Sequence, residues 1–222
     1  MSYTRLVSAN AGSANENDVT TSAIDTTGAK LIVIAVAHQA ASAVTPTDSK
    51  GNTWTLRSNH KSTDVGVYFY ECVNPTVGTG HTFTLAFTSS FPGIGVAAYS
   101  STGTPQFDKE TGATQTSGTS LATGSITPAA NDQVVLALVS TYNVLITGTA
   151  SSPFSSNNFI NLNTGDHTYG IDLAEDNQTT ATARNCTWTL GSTTQAAAAI
   201  ATWGEAAAGG GGSRYLTLLG VG

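Results

Sequence analysis

Two runs are apolar at every position, Leu31-Ile-Val-Ile-Ala-Val-Ala and Val134-Val-Leu-Ala-Leu-Val, in a chain otherwise dominated by hydroxyls and alternation. A strand with one wet face alternates, so an unbroken apolar run predicts a strand covered on both faces, central in a sheet or beneath a neighbouring subunit. Alternation itself appears in Val65-Gly-Val-Tyr-Phe-Tyr-Glu-Cys-Val, where Val65, Val67 and Phe69 share one face and Tyr68 and Tyr70 the other. Short runs rich in β-branched and aromatic residues, bounded by Gly, Pro, Asn, Asp and Ser, predict strands. They fall near 18–25, 30–38, 52–58, 65–73, 81–88 and 93–101, and again near 119–126, 132–141, 153–161, 167–174, 184–190 and 196–204. Helical periodicity is missing, and the Ala-rich piece 196–201 is assigned to a strand by its place in this order.

The two series overlay. Ser22 to Ala37 lies on Gly124 to Val139 without a gap, which sets Ile32 on Val134 and Val36 on Leu138. His81-Thr-Phe-Thr-Leu then falls on Cys186-Thr-Trp-Thr-Leu, and Ile94 to Tyr99 on Ala198 to Trp203. The expected fold is therefore all-β, a jelly-roll-like antiparallel β-sandwich of two diverged internal repeats, at 18–101 and 119–204, within a body spanning 1–204. A tandem of two small domains is the alternative. Asp48-Ser-Lys-Gly-Asn reads as a chain reversal before Trp54, with Pro46 and Pro75 flanking strands rather than interrupting them.

These signals also carry a resemblance. An apolar strand (Leu31 to Ala37), a Thr-Asp-Ser-x-Gly-Asn-Thr-aromatic-Thr turn (Thr47 to Thr55), an aromatic strand ending near Asn-Pro (Val67 to Pro75) and an apolar strand closing in Tyr-Ser (Val96 to Ser100) resemble a bacterial and phage β-sandwich repeat family. The resemblance covers nearly all of 18–204 and implies a virion-surface or adhesive module. Its motifs are turn and core signals and carry no chemistry. The second half departs at the turn, where Ala150-Ser-Ser-Pro-Phe stands instead.

Charged residues are only 10% of the chain, and the net charge is -6. Without clustered Lys and Arg the counterion-release drive for nucleic acid is missing, so no nucleic-acid partner is expected. No segment approaches the length of a membrane span, and MSYTRLVSAN lacks the layout of a secretion signal, so assembly in a host cytoplasm is expected. Cys72 and Cys186 are read as buried free thiols, and the sequons at Asn177 and Asn185 as chance.

A search for chemistry finds no catalytic residue, metal site or cofactor signature, and no enzyme is expected. His38, His60, His81 and His167 lack the spacing of zinc ligands, and the Asp48 turn lacks the alternate acids of a calcium loop. Glu175-Asp176 and the pair Asp64 and Glu71 are the only carboxylates that suggest a glycosidase, and a solvated reading is preferred. Trp54, Tyr68 and Tyr70 are candidates for stacking on a sugar, whereas Trp188 and Trp203 are assigned to the core.

After Trp203 a Gly-rich linker leads to an apolar arm, with 205–222 read as linker and arm. Arg214, Tyr215, Leu216, Leu218, Leu219 and Val221 are expected to dock as a strand on a neighbouring subunit or partner. The functional expectation is a structural subunit of a phage-like virion or other extracellular assembly: a decoration, head-fibre or tail accessory protein. Its partners would be copies of itself and a capsid, tail or filament protein, in a homo-oligomer. The alternative is a glycan-binding adhesin module, with carbohydrate as partner.

Overall fold

The computed structural model describes residues 3–13, 18–39, 43–86, 91–163 and 168–206, with the backbone alone at 157–163 and 168. The described residues form strands and no helix. The first half holds β1 (Tyr3–Gly12), β2 (Val19–Thr20), β3 (Leu31–His38), β4 (Thr47–Asp48), β5 (Thr55–Lys61), β6 (Gly66–Val73), β7 (Phe83–Leu85) and β8 (Gly93–Ser101). The second holds β9 (Pro105–Gln115), β10 (Ser120–Ala122), β11 (Val134–Thr141), β12 (Ser155–Asn163), β13 (Thr168–Asn177), β14 (Thr187–Thr189) and β15 (Ala196–Glu205).

All pairing is antiparallel, in sheets of order β1-β8-β3-β6-β5, β2-β7-β4, β9-β15-β11-β13-β12 and β10-β14. The two five-stranded sheets face each other across a central core. Leu31, Val33, Ala35, Val67, Phe69 and Tyr99 meet Val134, Leu136, Leu138, Ile171, Leu173 and Trp203 there. The opposite face of β3 packs Ile32, Ile34 and Val36 with Tyr68, Tyr70, Phe83 and Leu85 under the β2-β7-β4 layer. The opposite face of β11 packs Val135 and Val139 with Leu121, Cys186 and Trp188 under β10-β14. Four layers rather than two therefore explain the unbroken apolar runs: β3 and β11 are covered on both sides within one chain. Each fully buried Leu, Ile or Val there contributes roughly 1.5–3 kcal/mol.

The gapless overlay needs a correction. Tyr99 pairs with Leu31 and Trp203 with Val134, and both pairs face the central core, whereas Ile32 faces the outer one. Leu31, not Ile32, thus corresponds to Val134, because a one-residue slip moves a side chain to the other face. Likewise Thr21 N donates to Phe83 O and Thr123 N to Cys186 O, so Cys186 rather than Trp188 corresponds to Phe83. Phe83 N and Cys186 N return bonds to the Thr21 and Thr123 hydroxyls at 3.2 and 3.1 Å.

Each edge strand of the two large sheets contains a bulge. Leu6 in β1, Arg57 in β5, Asp108 in β9 and Asn157 in β12 are the extra residues. A bulge twists the edge, interrupts its ladder and re-aims a side chain. At the β5–β9 seam Gly112 permits a close approach, since a Cβ there would lie 2.4 Å from the His60 ring and 2.5 Å from the Ala198 carbonyl. His60 Nε2 meets Glu110 Oε2 at 2.6 Å beside it, and the Ser58 hydroxyl donates to the same oxygen at 2.9 Å.

The body is polar in the sense of having two unlike ends. The Tyr3 hydroxyl donates to the Gly204 carbonyl, and Ala206 N donates to Thr104 O at 2.8 Å. Glu205 accepts from the Ser101 and Thr102 hydroxyls and from Gly103 N. The start of β1, the link between the halves and the end of β15 thus meet at one pole. The ends of β3, β5, β9 and β11 lie at the other, tied by Gln39 to Tyr169 and by Ser62 to the Gln115 carbonyl.

Candidate functional site

The turn read from Asp48-Ser-Lys-Gly-Asn closes as that sequence requires. Asp48 accepts from Lys50 N at 2.8 Å and Asn52 N at 3.1 Å, and Gly51 takes φ +73°, a region that suits glycine. The same carboxylate accepts from Asn52 Nδ2, Trp54 Nε1 at 3.0 Å and His81 Nε2 at 2.9 Å, and His81 Nδ1 meets the Thr26 hydroxyl at 2.8 Å. A hydroxyl, imidazole and carboxylate in sequence are the parts of a nucleophilic relay. Here they cannot reach a substrate: the His81 and Asp48 side chains are wholly buried, Thr26 is too, and the Thr26 oxygen also accepts from Gly78 N. The arrangement locks the turn to β7.

Two buried acids cross the central core. Glu71 in β6 takes Arg57 Nε at 2.8 Å on one oxygen and Trp203 Nε1 at 2.5 Å on the other, while the Arg57 guanidinium lies 5.0 Å from the Phe107 ring centroid. Glu175 in β13 takes Arg5 Nη1 and Asn177 Nδ2 and stands beside the Tyr99 hydroxyl. Burial first, and the Glu175 charge second, hold that hydroxyl well above its ordinary pKa. Each acid thus touches an aromatic residue of the opposite half. Both arginines come from bulged stretches of edge strands, which turn their side chains inward.

In the second half Asp172 is wholly buried and accepts from Trp188 Nε1 at 2.7 Å and the Ser156 hydroxyl at 2.6 Å on one oxygen. The other oxygen has no partner among the described residues. Burial raises its pKa, and those two bonds hold the rise back. A carboxyl raised in the folded state stabilises below its unfolded pKa, and that contribution is lost as pH rises through the folded value. Asp172→Asn should remove this dependence. Its stability relative to the unsubstituted protein should therefore improve as pH rises above the unfolded carboxyl value of ~3.9, read from urea midpoints; a constant difference would contradict the assignment. His38, stacked on Tyr68 at 4.6 Å, runs the opposite way. Burial, then Lys61, lowers its pKa to about 3, so its contribution is complete above the unfolded value near ~6.5 and is lost on acidification.

The sequence candidates fare differently. Trp54, Tyr68 and Tyr70 are 8%, 1% and 2% exposed, inside the outer core of the first half, so none has a face to offer a sugar. They alternate as expected, but the small sheet covers them. Glu71, Glu175, Asp176 and Asp64 are each engaged, by Arg57, Arg5, Arg184 and Gln195 respectively, rather than paired as two acids. Cys72 and Cys186 are free thiols, half-buried and buried. Trp188 and Trp203 are in the core. Among the described residues no group of His, Cys, Asp and Glu is placed to hold a metal ion, and no helix is long and apolar enough to cross a membrane. Arg214, Tyr215, Leu216, Leu218, Leu219, Val221 and His167 lie outside the described residues. No protein-family model matches the chain, and no curated protein or solved structure does either. The resemblance to bacterial and phage sandwich repeats thus rests on this chain's own residues.

Proposed function

We propose that this chain is a structural subunit of a phage-like virion or other extracellular assembly, a decoration, head-fibre or tail accessory protein that acts by packing rather than catalysis. The observation that carries the reading is the body's polarity. The first and last described residues and the link between halves meet at one pole, so the segments beyond them leave from a common base and the sandwich projects away from it. The engagement of the relay-like and acidic groups in internal bonds fits a body built for rigidity.

In this reading the two halves are diverged copies of one unit. The orders β1-β8-β3-β6 and β9-β15-β11-β13 correspond strand for strand, and the Thr21–Phe83 and Thr123–Cys186 clasps recur. The first-half order, with β2-β7-β4 opposite, supports reading this unit as jelly-roll-like with β5 carried over onto β6, an architecture used by viral capsid and lectin domains. This is an analogy of fold and not of site. The partners are then copies of the chain and a capsid, tail or filament protein, reached through residues 207–222, and the location is the virion.

Deleting residues 207–222 should leave circular dichroism and the unfolding midpoint unchanged while abolishing self-association and attachment to phage-like particles from the producing host, followed by light scattering. A full chain that stays monomeric and ignores such particles, or a truncated chain that assembles equally well, overturns the proposal.

A further inference from the structure

We infer that the cleft between the 51–55 turn and the end of β6, floored by Cys72 and Val73, binds a neutral saccharide unit. The cleft encloses about 520 Å³, within the roughly 300–1,000 Å³ of small-molecule sites, and every residue lining it belongs to the described stretch 43–86. Its walls are tied to each other before any ligand arrives. Asn52 Nδ2 donates to the Thr76 carbonyl at 3.0 Å, Thr76 N donates back to Asn52 Oδ1 at 2.7 Å, and Asn52 is itself held by Asp48. Little is left for binding to order.

Several polar groups of the cleft are unspent. The hydroxyls of Thr53, Thr55 and Thr76 and the Asn74 amide make no hydrogen bond among the described residues. Arg57 gives Nε and Nη2 to Glu71, and its Nη1 has no partner among them. Asn74 also takes φ +51°, uncommon for a residue with a side chain, and its backbone N donates to Lys30 O at 2.8 Å.

The second half holds a cleft in the same register with its bonds already made. Thr55 pairs with Glu71 and Ser155 with Glu175, and each acid takes an arginine, Arg57 or Arg5. The second cleft encloses only about 230 Å³. There Asp176, in the register of Cys72, takes Arg184, and Asn177, in the register of Val73, donates to Glu175 at 2.7 Å. The chain thus supplies its own partners in one cleft and leaves the other open.

The open groups select the ligand. Arg57 and Glu71 are the only charged residues of the lining and answer each other, so an anion would meet Glu71 and a chain of net charge -6, and a cation would meet Arg57. Threonine sets a methyl beside its hydroxyl, and a saccharide sets a C–H beside each of its own. The walls, with Cys72 and Val73 below, therefore match it in hydrogen bonds and in apolar contact. An apolar ligand would leave these donors and acceptors unpaired. This inference does not depend on the assembly role, since the free chain in solution tests it and the 207–222 deletion leaves every lining residue in place.

Cys72 reports on its own cleft, because the other cysteine, Cys186, is wholly buried. Alkylation of the full chain, followed by intact mass, should modify one thiol, and at least one of a panel of neutral glucose-, galactose- and N-acetylglucosamine-based disaccharides should slow it. Asn74→Gly keeps the backbone conformation and removes the amide, and should weaken that disaccharide about tenfold in calorimetric titration. Thr55→Val should weaken it several-fold, and decides alone if Asn74→Gly does not fold. Ser155→Ala, in the second cleft, should leave the affinity unchanged. No protection by any member of the panel, stronger protection by glucuronate or glucosamine than by glucose, or unchanged affinity in the Asn74 and Thr55 variants overturns the inference. So does a Cys72 that the reagent never reaches, because the cleft is then closed.

Discussion

Replacing Trp203 by alanine should lower the unfolding free energy by about 3–5 kcal/mol, the cost of emptying a fully buried aromatic site. Trp203 sits where the halves meet, edge-on to Phe69 at 5.8 Å and Phe107 at 5.9 Å. Its indole nitrogen also satisfies one oxygen of Glu71. Trp203→Phe separates these roles, since it keeps most of the volume but strands the carboxylate oxygen, at about 1–3 kcal/mol. Tyr99→Phe, at the like position in the first half, should cost much less, because the Tyr99 hydroxyl stands beside Glu175 without well-formed bond geometry and that carboxylate keeps Arg5 and Asn177 as donors. Guanidinium denaturation of the four proteins checks this, and equal losses for Trp203→Phe and Tyr99→Phe would show that the Glu71 bond contributes little.

The second large effect belongs to Arg57. Glu71 is 3% exposed and Arg57 35%, so removing the cation leaves a charge buried that water reaches poorly. Arg57→Ala should cost about 3 kcal/mol, the lower end for breaking a buried pair, because the arginine itself is partly solvated. Adding Glu71→Gln should recover much of the loss, since a neutral amide can still accept from Trp203. If the double variant is no more stable than Arg57→Ala, the effect lies in lost packing of Arg57 on Phe107 instead.

Much of the fold was legible, for reasons that also explain what was not. The β3 and β11 runs announce burial on both faces, and the Ala-rich β15 is readable as strand from its order although alanine favours helix, because tertiary burial overrides propensity. The strands β1 and β9 escape notice. Thr4-Arg-Leu-Val-Ser-Ala-Asn and Gln106-Phe-Asp-Lys-Glu-Thr-Gly mix charges and small residues without alternation, as edge strands with bulges do. The order of the layers is likewise not encoded locally: whether Tyr68 and Tyr70 meet water depends on a small sheet built from distant residues. The Asp48 turn was readable in five consecutive positions, but the convergence of Thr26, Trp54 and His81 on it needs the folded chain. The cleft between Thr55 and Asn74 depends on the β5–β6 register and on the bulge at Arg57, neither of which shows in the local pattern.

The bulges at Leu6, Arg57, Asp108 and Asn157 reach beyond stability. A large-sheet border whose row of backbone donors and acceptors is broken partway is a poorer template for fusing rim to rim with a neighbour, even when many copies crowd together. Lateral adhesion then leans more on side chains than on main chain, which makes such contacts reversible and open to tuning by salt and pH.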